Sequence, residues 1–150
     1  MRKMTVLSVM VATALCLSIG AKADDAPKLR CPVSGKFVGK DHAVAYKDGQ
    51  VYFCCENCPK AFKADTEKFA SKANAQLVAS GQYKEVKCPL TGEALNPKTA
   101  VKVGGVSVAF CCNGCKGKVA KAKRGDKLDL VFNDEAFKKG FEKAVAADKK

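Results

Sequence analysis

Apolar positions along the chain fall into three patterns. Val6 to Ile19 is an apolar run broken only by Ser8, Thr13 and Ser18. Further on, β-forming residues come as paired short runs around tight-turn dipeptides. Ala43 to Tyr46 and Gln50 to Cys54 flank Asp48-Gly49, while Ala100 to Val103 and Val106 to Phe110 flank Gly104-Gly105. Each arrangement predicts a β-hairpin. Helical spacing follows both hairpins. Asn57 is placed to cap a short helix with Pro59 in its first turn, and Asp65-Thr66-Glu67 opens a second helix carrying Phe69, Ala73 and Leu77 on one face. Asn133-Asp134-Glu135 plays that capping role again, ahead of Phe137, Phe141 and Ala144. The expected class is α+β.

The two halves repeat one another. Cys31-Pro-Val-Ser-Gly returns as Cys88-Pro-Leu-Thr-Gly, and Cys54, Cys55 and Cys58 return as Cys111, Cys112 and Cys115. All four pairs are separated by 57 positions, which chance does not produce. Phe69 and Phe137 are 68 apart, so the second half carries 11 extra residues, expected around Lys121 to Val131. Two tandem modules are therefore predicted, residues 24–80 and 81–150, with Ser80 to Lys87 as the link.

The N-terminus predicts export. Arg2 and Lys3 precede the apolar run, and Ala21-Lys22-Ala23 gives a small-x-small cleavage pattern, so residues 1–23 read as a signal peptide. The run is short for a bilayer span, and no membrane insertion is expected after cleavage. Cleavage takes Cys16 with it, leaving eight cysteines, all within the repeat. It also removes three bases and no acids, turning a formal charge of +12 into +9. An exported chain whose lysines are scattered rather than clustered argues against nucleic acid and for a solvated basic surface.

Each half presents Cys-x22-Cys-Cys-x2-Cys on about 55 residues, a size that often needs a staple of metal or disulfide. A turn delivers Cys31 from one side, where Pro32 fixes φ and Gly35 supplies the permissive position. A strand end and a helix start deliver Cys54, Cys55 and Cys58 from the other. A helix N-terminus lowers a thiol's pKa, and thiolates select Zn²⁺, Cu(I) and heavier soft ions. The candidate ligands are Cys31, Cys54, Cys55 and Cys58, then Cys88, Cys111, Cys112 and Cys115, with one ion, zinc or copper, per module. Successive strand residues face opposite ways, so either three or four sulfurs could contribute. The turn is similar to a treble-clef knuckle of the form Cys-Pro-x-Cys-Gly, with Ser34 and Thr91 in place of its second cysteine.

Cys31-x22-Cys54-x3-Cys58 and Cys88-x22-Cys111-x3-Cys115 resemble the TRASH domain of heavy-metal trafficking, resistance and sensing proteins, close to the YHS domain. Tyr52-Phe53-Cys54 through Cys58-Pro-Lys-Ala-Phe62 looks like that family's strand-to-helix segment, and Asp65 to Phe69 like its following helix. The resemblance covers most of Cys31 to Phe69 and of Cys88 to Phe141. It implies metal binding through these cysteines without catalysis. Many relatives place the first cysteine three positions later, where this chain has Ser34 and Thr91.

Two other readings compete. Eight cysteines in an oxidising compartment suit a disulfide scaffold, with pairings such as Cys31 to Cys58. Cys55-Glu-Asn-Cys58 and Cys112-Asn-Gly-Cys115 have the Cys-x-x-Cys form of thiol–disulfide oxidoreductases, though the modules are too short for a thioredoxin frame. His42 is the sole histidine and its repeat counterpart is Thr99, so no duplicated Cys/His device can be built on it. The reading that results is a periplasmic or secreted protein, not an enzyme, that holds soft metal ions. No protein partner is indicated.

Overall fold

The computed structural model of the protein describes residues 29–39 and 41–144. The expected signal peptide, Cys16, the stretch Asp24 to Lys28 and the last residues from Asp148 lie outside them. The described chain is mixed α and β, with small antiparallel strand pairs and five helices.

In the first half β1 (Ala43–Tyr46) pairs antiparallel with β2 (Gly49–Tyr52), Tyr46 opposite Gly49. The turn is therefore Lys47-Asp48, not the expected Asp48-Gly49, and Lys47 takes the positive φ of 53°. Gly49 is needed inside the strand instead. A Cβ there would lie 2.7 Å from the Gln82 side chain and 2.9 Å from Leu77. Helices α1 (Asn57–Ala64) and α2 (Thr66–Ala79) follow. Asn57 is the first helical residue rather than the cap. Glu56 occupies the cap position and makes no side-chain capping bond. Asp65 caps α2 as its sequence predicts, accepting from the Lys68 N–H.

The expected link is structured. Within it β3 (Tyr83–Glu85) pairs antiparallel with β6 (Phe141–Lys143) at the far end of the second half. Between them lie the hairpin of β4 (Asn96–Val103) and β5 (Val106–Phe110), then α3 (Asn113–Lys121), α4 (Arg124–Phe132) and α5 (Asp134–Gly140). Gly104 and Gly105 both take positive φ, as a two-residue hairpin turn requires. The extra residues of the second half form α4. Asn133 caps α5, its side chain accepting from the Ala136 N–H. The helix stops at Gly140, so Phe141 lies in β6 rather than continuing the helical face, because β3 offers its edge there.

One core runs through both halves. Phe62 packs against Tyr46, Phe53 and Phe69 with centroids 5.3–6.5 Å apart, and Phe137 against Tyr83 and Phe141 at 4.9 and 5.3 Å. Val51, Leu77, Val103, Val108, Phe110 and Phe132 are fully buried in the same cluster. Polar contacts lock the seam. Asn74 of α2 donates to the Phe132 carbonyl and to the Asp134 carboxylate, at 2.8 and 2.9 Å. Lys47 reaches the same carboxylate at 2.8 Å. No helix among the described residues is long and apolar enough to cross a membrane.

Candidate metal centres

The first cysteine of each half sits in a turn closed by backbone bonds. Gly35 N–H donates to the Cys31 carbonyl at 2.8 Å and Cys31 N–H to the Lys36 carbonyl at 2.8 Å. In the second half, Gly92 to Cys88 and Cys88 to Glu93 repeat these at 2.7 and 2.9 Å. Gly35 and Gly92 take φ of 74° and 80°, which glycine adopts without strain. The remaining cysteines lie between a strand end and a helix start. Neither α1 nor α3 has a side-chain cap, so first-turn N–H groups are left to face sulfur.

These arms converge. The Sγ atoms of Cys31, Cys54 and Cys58 all lie within 4.8 Å of one another, and so do those of Cys88, Cys111 and Cys115. Cys54 and Cys58 are 3.7 Å apart, as are Cys111 and Cys115. A single ion with metal–sulfur bonds near 2.3 Å in tetrahedral geometry requires sulfurs about 3.8 Å apart. Each triad could therefore hold a metal ion. Cys31 and Cys88 are fully buried, while Cys54 and Cys111 are half-buried.

Cys55 and Cys112 stand outside the triads and are exposed. Cys55 is nevertheless close, its Sγ 3.3 Å from that of Cys58 and 3.8 Å from that of Cys54. Among the described residues all eight cysteines are free.

The hydroxyls at the second knuckle position touch sulfur. Ser34 Oγ is 3.1 Å from Cys54 Sγ, and Thr91 Oγ1 is 3.3 Å from Cys111 Sγ. Burial pushes the Cys31 thiol up, but the Ser34 hydroxyl and the N–H groups of Ser34, Cys54 and Val33 outweigh it and bring it from 9.0 down to about 7. Burial is likewise outweighed at Cys88 by the Thr91 hydroxyl and backbone N–H groups, to about 7. Cys58 moves the other way, pushed up by burial and then by bonding to Cys55, Cys54 and Cys31. Cys115 is pushed up to about 12, first by burial and then by Cys111 and Cys112. Each triad thus sets a lowered thiol, Cys31 or Cys88, beside a raised one, Cys58 or Cys115, and a cation bound by both must displace the proton of the raised one. Bonding to Cys58 lowers the Cys55 thiol, and the Cys115 N–H lowers that of Cys112.

Three residues with no chemical motif position these sulfurs. The buried Gln76 accepts from Tyr52 N–H at 2.7 Å and donates to the carbonyls of Tyr52 and Arg30, at 2.8 and 2.9 Å. It thereby ties the strand before Cys54 to the residue before Cys31. At the corresponding place in the second half Glu85 accepts from Ala109 N–H at 2.9 Å. Thr99 Oγ1 accepts from Phe110 N–H at 2.8 Å and donates to the Phe110 carbonyl at 2.6 Å, replacing ladder bonds where β4 is irregular. Its counterpart His42 accepts from Phe53 N–H through its backbone carbonyl, at 2.7 Å. Ser34 and Thr91 had a legible signal, a hydroxyl recurring at the repeat spacing. Gln76 and Glu85 had none.

Compared with known protein families, characterised proteins and solved structures, the chain matches none.

Proposed function

We propose that this protein is an exported, non-enzymatic carrier of soft metal ions that binds one ion in each of two repeated modules of the TRASH or YHS kind. The observation that carries the reading is the double convergence of three sulfurs, from a turn and a strand–helix junction, in both halves of one chain. Three thiolates suit Cu(I), Zn²⁺ or a heavier soft ion. Export to the periplasm or beyond rests on the N-terminal sequence pattern. A half-buried, three-sulfur site beside an exposed fourth thiol fits a cargo that is taken up and handed on better than it fits a closed structural zinc site.

The test is metal titration of reduced, full-length processed protein, with elemental analysis of material from its native compartment. Two equivalents are expected. Cys58→Ser removes one and Cys115→Ser the other, each leaving its counterpart intact. Retention of both equivalents in the double variant overturns the assignment.

A second reading has one observation in its favour. The 3.3 Å between the sulfurs of Cys55 and Cys58 suits a Cys-x-x-Cys disulfide. A free-thiol count on the same native sample decides: thiols and metal both absent favours disulfides, and turnover of a disulfide substrate favours an oxidoreductase.

A further inference from the structure

A cavity of about 930 Å³ lies at the seam of the two halves, lined in part by Cys31 of the first triad and by no cysteine of the second. The first half lines it with residues 29–32, which include the first-triad cysteine Cys31, with Gly35 and with α2, the second with the β4–β5 turn and α4. Five bases line it: Arg30, Lys72, Lys102, Arg124 and Lys127. No acidic side chain is among the described residues lining it, and none of the five bases makes an ion pair there. Between the bases the wall is apolar, formed by Ala75, Ala79, Val103 and Leu128.

The physical consequence is specific. Five like charges around one concavity repel each other and gather field lines, so an anion entering it relieves repulsion as well as gaining attraction. In the apolar wall between them Ala75 and Val103 are buried, while Ala79 and Leu128 stay partly exposed to water unless an apolar group covers them. The volume is that of a site for a drug-sized ligand. An inorganic anion would satisfy the bases and leave the wall wet, and a neutral apolar molecule would do the reverse.

We propose that this cavity binds a small amphiphilic organic anion, with an apolar body against Ala75, Ala79 and Leu128 and its negative groups among the five bases. The site needs α4, the element that has no counterpart in the first half, because α4 supplies Arg124, Lys127 and Leu128. It borders the first triad through Cys31, while no cysteine of the second triad lines it, so metal loading of the second site serves as its control.

The experiment uses full-length processed protein with anilinonaphthalene sulfonate as the amphiphilic anion and phenylnaphthylamine as its uncharged analogue, binding followed by fluorescence under native conditions. One sulfonate is expected per chain, bound at least about tenfold more tightly than the analogue and weakened by salt. Lys102→Gln/Lys127→Gln is expected to weaken it at least about tenfold, with metal stoichiometry and melting temperature unchanged. Lys63→Gln/Lys84→Gln, which removes two exposed bases elsewhere, leaves it unaltered. Ala79→Trp, which lays an indole across the apolar wall, abolishes it. Equal binding of the uncharged analogue, or equal weakening by both lysine pairs, overturns the proposal. So does displacement of the dye by inorganic phosphate or an acidic peptide at matched concentration, since the site would then read charge alone or a macromolecule.

Discussion

The carboxamide of Gln76 grips the backbone of Tyr52 on both sides, taking its N–H at 2.7 Å and giving to its carbonyl at 2.8 Å. A helix side chain thus acts as a further strand at the edge of β2, two residues before the first ligand of the Cys54 cluster. Gln76 also holds the Arg30 carbonyl, so one buried residue sets the spacing of both arms of the first triad.

Replacing Gln76 by Leu removes three bonds and strands buried backbone groups at Tyr52. A loss of about 2–5 kcal/mol is expected from urea unfolding. Metal titration of the variant should show the first site weakened and the second unchanged, since the second triad draws nothing from Gln76.

Ser34→Cys should turn the first centre into a four-sulfur site. The Ser34 oxygen already lies 3.1 Å from Cys54 Sγ, and the change recreates Cys-Pro-x-Cys. Chelator competition should show affinity at the first site raised at least about tenfold. Cobalt substitution should give the absorption of tetrahedral thiolate coordination there and not at the second site.

Gly140 ends α5 against the turn that carries Cys88. A Cβ at this position would meet Pro89 Cα at 2.8 Å and Cβ at 2.9 Å, with Lys87 O at 3.0 Å. Gly140→Ala should therefore push that turn away, at about 1–3 kcal/mol in stability. Titration should show loss of affinity confined to the second site.

Glu85 is pushed up from 4.5 to about 7, first by burial, against the opposing bond from Ala109 and with the help of the Cys88 charge. A raised folded pKa contributes stability that is full below pH 4.5 and lost as pH rises through about 7. Glu85→Gln keeps an acceptor for Ala109 N–H and carries no charge. It should match the parent at pH 4 and exceed it at pH 8 by about 2 kcal/mol in urea unfolding, after allowance for partial exposure. A parent more stable than the variant at pH 8 would contradict the burial argument.

Much of this protein could be read from local spacing. The 57-residue repeat and the cysteine spacing stand in the order of residues itself, and the glycine turn at Gly104-Gly105 and the caps at Asp65 and Asn133 depend on contacts within a few residues, which a linear sequence displays. The first hairpin turns at Lys47-Asp48, one residue before the dipeptide its sequence marks, because Gly49 is demanded by packing against Gln82 and Leu77 rather than by the turn.

The sequence by itself determined that sulfur from a turn and from a strand–helix junction would occur twice at one spacing. Only the tertiary structure decided that Cys31, Cys54 and Cys58 form a triad while Cys55 stands outside it, since adjacent residues leave the chain in different directions. It also decided that β3 pairs with β6, that α4 closes a basic cavity against α2, and that Gln76 and Glu85 support the two centres. Those contacts span 24 residues or more and leave no periodic trace in the order of amino acids.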